Sequence, residues 1–173
     1  NIGSMKNSGI ELNIDYDIIR THDWGLTAQL NIAHNDNRVV KLAGGDDVKG
    51  TSYSNYGGGP INILREGYPI GSFWLYDYTG INPESGRMEY RDINEDGSLS
   101  DDHDRIIAGS PFPLFTYGLN VGLRYKQFDF NFFLQGSQGN KVYNLSNMRN
   151  MSYGQGMNIE KRAWEESWKE GAD

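Results

Sequence analysis

Residues 115–135 read Phe-Thr-Tyr-Gly-Leu-Asn-Val-Gly-Leu-Arg-Tyr-Lys-Gln-Phe-Asp-Phe-Asn-Phe-Phe-Leu-Gln, and this stretch decides the fold. Phe115, Tyr117, Leu119, Val121, Leu123 and Tyr125 alternate with Thr116, Gly118, Asn120, Gly122 and Arg124. Period-two alternation puts each set on its own face of a β-strand. Lys126-Gln127 leaves room only for a tight turn. Phe128, Phe130, Phe132 and Leu134 then oppose Asp129, Asn131, Phe133 and Gln135, so 115–136 reads as a hairpin. Residues 8–35 repeat the pattern. Ile10, Leu12, Ile14, Tyr16 and Ile18 share one face of the first strand. Trp24, Leu26, Ala28, Leu30 and Ile32 share one face of the second, across a break at 20–23.

Between the hairpins, residues 41–114 form a long region rich in Gly, Asn, Asp, Ser and Pro. It contains the breaker Gly57-Gly58-Gly59-Pro60 and an aromatic stretch from Tyr68 to Tyr78. After Gly136 the chain returns to loop, with a short helix expected over 160–169. Short turns at one end and very long loops at the other are the pattern of bacterial outer-membrane barrels. Tyr16, Trp24, Tyr125 and Phe128 flank the short turns, where an interfacial aromatic girdle would lie. A soluble antiparallel sandwich shows the same alternation. Its outward face carries more charge than the Gly, Asn, Thr and Gln found here.

Composition excludes several classes. The 173 residues include 16 Lys and Arg against 23 Asp and Glu, a net charge of −7, and the basic residues are scattered, which excludes a nucleic-acid surface. Cysteine is absent, so disulfides, thiolate metal sites and cysteine nucleophiles are excluded. No apolar run is long enough for a transmembrane helix, and Asn1-Ile2-Gly3-Ser4 does not begin a signal peptide. Neither a nucleophile elbow nor a phosphate loop is present, and no acid pair marks a glycosidase, so no enzyme activity is expected.

The sharpest local motif is Asp92-x-Asn94-x-Asp96-Gly97-x-Leu99, followed by Asp101-Asp102-His103-Asp104. It resembles the first half of an EF-hand loop, in which oxygens at positions one, three and five converge on Ca2+ and Gly at six makes the turn. Ser98 would offer its carbonyl, and Ser100 would act directly or through water. Position twelve is His103, a poor calcium ligand, so Asp102 or Asp104 would have to replace it. The competing reading is a solvated acidic loop built on Asx turns. His22, His34 and His103 have no ligand spacing. Trp74, Tyr76 and Tyr78 could stack on a sugar substrate or pack within the fold. Trp164 and Trp168, four apart, would pack together.

Six stretches carry a family resemblance. Residues 1–12 resemble the NxGxxxNxGxEL signature of the SusC/RagA family of TonB-dependent transporters. Residues 66–74 resemble its EGxPIGSFxGY segment, and 90–97 its YxDxNxDG loop. Residues 104–113 resemble its DRxxIGxPxP element, continued through 115–120, and 135–144 its FxGSxGNxxYN segment. The resemblance implies an all-β, antiparallel transmembrane barrel fragment with long extracellular loops, within a barrel of about 22 strands that encloses a plug. It implies outer-membrane import of oligosaccharides or peptides, a SusD-like lipoprotein on the loops, and TonB acting through a plug that these residues do not include. Four to six strands are expected here, the remainder of the barrel lying elsewhere. The alternative function is a soluble, calcium-binding β-rich module.

Overall fold

The computed structural model describes residues 3–52, 59–152, 156 and 158–169. Asn1 and Ile2 of the first signature, Gly57 and Gly58 of the breaker, and 171–173 lie outside the described residues. The chain divides into two compact units.

The first unit is a four-stranded antiparallel sheet. Its strands are β1 (Gly3–Arg20), β2 (Trp24–Leu42), β9 (Phe115–Tyr125) and β10 (Phe128–Gln138), hydrogen-bonded in the order β1-β2-β9-β10. β1 and β2 extend several residues past the alternating stretch. The tight turns follow from local chemistry. The Thr21 hydroxyl accepts from the Trp24 N–H at 2.9 Å and donates to its carbonyl at 3.1 Å. Lys126 takes a left-handed φ of 52° in the two-residue β9–β10 turn.

Register aligns the faces across strands. Ile14 pairs with Leu30, Leu30 with Leu119 and Leu119 with Leu134, so the four strands present one apolar face. Trp24, Tyr125 and Phe128 stand in one row beside the turns, the first two rings 4.2 Å apart. A bulge makes Ile18 and Ile19 together oppose Leu26, which is why the alternation of β1 breaks before Arg20. The opposite face carries Asp15, Gln29 and Asn120 in one row, and Asn13, Asn31 and Gly118 in the next. Above Ile10 the apolar face ends, for Ser8 opposes Asp36 and Lys6 opposes Arg38.

The apolar face is uncovered. Ile10 is 76% exposed and Phe128 71%, and Leu12, Tyr16, Phe130, Phe132 and Leu134 are exposed with them. A soluble sandwich would bury such a face against a second sheet. β9 and β10 have 11 residues each, about 36 Å of strand, or roughly 25 Å of height when tilted by about 45°. That matches the apolar band of an outer-membrane barrel.

β2 outruns β9, which stops at Phe115 opposite His34. Residues 64–71 take over the free edge. Val39 donates its N–H to the Tyr68 carbonyl and accepts from Gly67, each at 2.9 Å. Glu66 accepts from the Leu42 N–H at 2.8 Å, and the Asn37 side chain accepts from Ile70 at 2.9 Å. Gly67 and Gly71, at φ 86° and 68°, let the segment fold back.

The second unit comprises residues 49–63, 72–109 and 142 onward. A small sheet runs β3 (Val48–Lys49), β4 (Asn62–Leu64), β5 (Ser72–Tyr76), β8 (Arg105–Gly109), beside a hairpin of β6 (Tyr78–Ile81) and β7 (Met88–Tyr90). Two short helices follow, α1 (Leu145–Met151) and α2 (Lys161–Glu165). The sequence anticipated a loop here, with a strand or two. Trp168 does not pair with Trp164. It packs on Gly86 and donates its indole N–H to the Pro83 carbonyl at 2.9 Å, while Trp164 stays exposed.

The two faces of the sheet set opposite tolerances. Phe130→Arg on the apolar face should cost about 2–4 kcal/mol of membrane stability, whereas Asn131→Arg, one residue on and facing the other way, should cost little. Folding of the intact protein into lipid vesicles, followed by denaturant titration, measures both.

Candidate functional site

The acidic loop connects β7 to β8 and holds itself by hydrogen bonds. The Asp92 carboxylate accepts from the Gly97 N–H at 2.7 Å, closing a turn in which Glu95 and Gly97 take positive φ. Asp96 accepts from the Ser98 hydroxyl at 2.8 Å, the Ser98 N–H at 2.9 Å and the Asn94 amide at 2.7 Å. The Ser98 hydroxyl, then the Asn94 amide, hold the Asp96 carboxyl below its ordinary range.

The remaining acids are engaged elsewhere. Asp104 is 0% exposed, and its two oxygens accept from the Ser100 N–H at 2.7 Å and the Ile93 N–H at 2.8 Å. Those amides, Ser100 first, lower its pKa. Asp104 therefore ties the two ends of the loop together. Asp102 pairs with Lys49 at 2.8 Å, and that ammonium lowers its pKa. His103 lies 3.2 Å from the Ser100 hydroxyl. The acids offered as replacements for position twelve are held by other partners, Asp102 by Lys49 and Asp104 by the Ile93 and Ser100 amides, and among the described residues no three Asp, Glu, His or Cys side chains form a ready cation cage. In the first limb, Asp92, Asn94, Asp96 and Ser98, Asp92 Oδ1 is buried without a hydrogen-bond partner, and these are the residues that could hold a cation.

The aromatic trio separates. Trp74 is 1% exposed and sandwiched, with the Arg105 guanidinium 4.8 Å and the Lys49 ammonium 5.1 Å from its ring centre. Trp74 thus lies in the core of this unit, the packing alternative for this residue. Tyr76 lies under the same guanidinium at 4.7 Å and donates to Asp101 at 2.6 Å. Asp101 also pairs with Arg105 at 2.8 Å, and Arg105 donates to the Pro60 carbonyl at 2.6 Å. Burial, then the Asp101 bond, raises the Tyr76 pKa, while the Tyr76 hydroxyl and the Arg105 charge lower that of Asp101. Only Tyr78 keeps an open ring, set edge-on to Tyr90 at 6.0 Å. Arg105, the centre of this cluster, entered the sequence reading only as part of the 104–113 element, with no role assigned. Its signal was a cation opening an Ile-rich strand just after Asp101, Asp102 and Asp104.

The polar face of the large sheet is the other candidate surface. Asn120 donates to Gln29 at 3.1 Å, Asn31 lies over Gly118, and Arg124 reaches the Thr21 carbonyl at 3.2 Å beside Gly25.

Comparison with known proteins gives this arrangement a context. No protein-family profile matches the chain. TonB-dependent receptor P3 of Formosa agariphila is 35% identical over 162 residues, covering 84% of this chain and 16% of the receptor. TonB-dependent receptor SusC of Bacteroides thetaiotaomicron is 34% identical over 162 residues, covering 88% of this chain and 16% of that receptor. The solved structure of the RagAB peptide transporter superposes with a TM-score of 0.79 at 26% identity, over 98% of this chain and 19% of that one. The two-faced sheet is thus barrel wall of the outer-membrane kind, as its alternation implied. More narrowly, the chain belongs with the SusC/RagA-like TonB-dependent transporters, which are outer-membrane proteins and not enzymes. It spans about a sixth of the length of the curated relatives it matches, 16% in both cases.

The depressed carboxyls give the loop an acid limit. A lowered folded-state pKa contributes stability above the ordinary carboxyl value of about 3.9, lost as pH falls through the lower folded value. Protection of the Ile93 and Ser100 amides from hydrogen exchange should therefore hold from pH 7 to about 4 and fall below that. Asp104→Asn should lower protection throughout and flatten the pH dependence.

Proposed function

We propose that this chain supplies wall and outer loops to a TonB-dependent importer of oligosaccharides or peptides. The observation that carries the reading is the sheet with one exposed apolar face and one polar face, in a chain related over most of its length to such receptors. The apolar face meets lipid. Asn120, Arg124, Asn131 and Gln135 face the lumen. The remainder of the barrel closes the wall, and a plug within it couples transport to TonB. The unit at 49–63, 72–109 and 142 onward faces the cell exterior, where a SusD-like lipoprotein covers it. Tyr78, with Tyr90 beside it, is the loop aromatic that offers a ring to the substrate. The uncovered apolar face weighs against a soluble binding module.

Deleting the full-length protein from its bacterium should abolish uptake of a labelled oligosaccharide or peptide, and detergent purification should bring a lipoprotein with it. Unchanged uptake, together with recovery in the soluble fraction, would overturn the reading.

Calcium belongs to the same proposal. It would sit against Asp92, Asn94, Asp96 and the Ser98 carbonyl, stiffening the loop, with no role in chemistry. Adding Ca2+ to chelator-treated protein should raise the melting temperature and slow exchange at Gly97 and Ser98. Asp92→Asn should abolish both effects, and no response in the unsubstituted protein would exclude the site.

A further inference from the structure

On the polar face of the large sheet one aromatic residue stands among short polar side chains. Phe133 sits on β10 where alternation calls for a polar side chain, and it is 61% exposed. Its row across the sheet is Asp15, Gln29, Asn120, Phe133. Toward the long loops lie Asn31, Gly118 and Gln135, then Ala33, Thr116 and Ser137. These nine positions on β2, β9 and β10 hold no charge. On β1 the first and third of these rows end in the carboxylates Asp15 and Glu11, opposite Gln29 and Ala33 and three strands, about 14 Å, from β10. The charged members of these three strands on this face, Arg124 and Asp129, stand nearer the turns.

The patch is concave. A recess of about 500 Å3 is lined by Asn31, Thr116, Gly118, Phe133, Gln135 and Ser137, together with the intervening Tyr117 and Gly136. Gly118 makes the room, since a Cβ there would lie 2.9 Å from the Asn31 amide. The Gln29–Asn120 bond uses one donor and one acceptor, leaving the Gln29 amide N–H and the Asn120 carbonyl without a partner among the described residues.

We propose that this patch is a neutral-saccharide subsite in the wall, with Phe133 as its stacking platform. The inference rests on the importer reading above and narrows its substrate class. A pyranose ring presents a C–H face to an aromatic plane and a rim of hydroxyls that each donate and accept. Amides and hydroxyls do both as well, and they are the polar groups that β2, β9 and β10 bring nearest to Phe133 among the described residues. A peptide carries charged termini and often charged side chains, and the β9 and β10 side of the patch, where Phe133 stands, gives them no counter-ion.

The test uses the purified full-length protein in detergent. Binding of neutral hexose oligosaccharides of five to seven units, and of peptides of similar mass, is measured by calorimetry. Phe133→Ala should weaken saccharide binding about tenfold, Phe133→Tyr should retain it, and Phe130→Ala, on the lipid face, should leave it unchanged. Phe133→Trp should give an emission that saccharide shifts to the blue and shields from iodide. Melting temperatures within a few degrees of the unsubstituted protein establish that the variants fold. Saccharide binding indifferent to Phe133→Ala overturns the subsite, as does a Phe133→Trp emission shielded before any ligand is added. Binding of peptides alone overturns the subsite and leaves the importer standing, whereas binding of neither class brings down both.

Discussion

The hydrogen-bond ladder along β2 is the constraint from which the rest follows. One edge of β2 is paired with β1 nearly end to end. The other edge is shared by β9 up to His34 and then by the returning segment at Gly67 and Tyr68. An open edge at that height would be a template for wrong partners. Closing it with a folded-back loop fixes the register of the wall and the point at which the loops leave it. Because side chains alternate strictly, one register fixes every face at once, and a slip by one residue would turn Phe130 inward and Asn131 toward lipid.

The loop unit solves a different problem with different means. It buries Ile63, Phe73, Trp74 and Ala163, and a cation packs against the largest of them. Arg105 lies between the rings of Trp74 and Tyr76, bonded to Asp101 and the Pro60 carbonyl. A guanidinium can do this because its faces are weakly hydrated while its edge donates in a plane. Asp104 does the complementary task, a buried anion bonded to backbone amides. Such an organisation suits loops that stand in water, where shape must come from directed bonds.

The wall was legible in the sequence because its information is local. Period-two alternation at 115–135 and 10–32 reports the faces directly, and Lys126-Gln127 reports the turn. The bulge at Ile18 was not legible, since two adjacent isoleucines just before the break at 20–23 read equally well as the end of the strand. In the loops, spacing suggested converging ligands at 92–104, but side-chain direction depends on partners distant in sequence. Lys49 draws Asp102 away, and the amides of Ile93 and Ser100 claim Asp104. For Trp74 the sequence left stacking and packing both open for the same reason, because the cations over its ring come from strands 25 residues before it and 31 after.

Gly136 lies directly across from Tyr117, whose ring covers the space that a side chain at 136 would need, so that even a Cβ there would sit 2.6 Å from the ring. The two positions share one allotment of volume on the lipid face. A larger residue at 136 becomes admissible only once 117 has shrunk, and either change alone disturbs the wall. Drift at this place must therefore proceed in coupled steps, and homologous barrels should show the aromatic on one strand or the other, with the small residue always opposite.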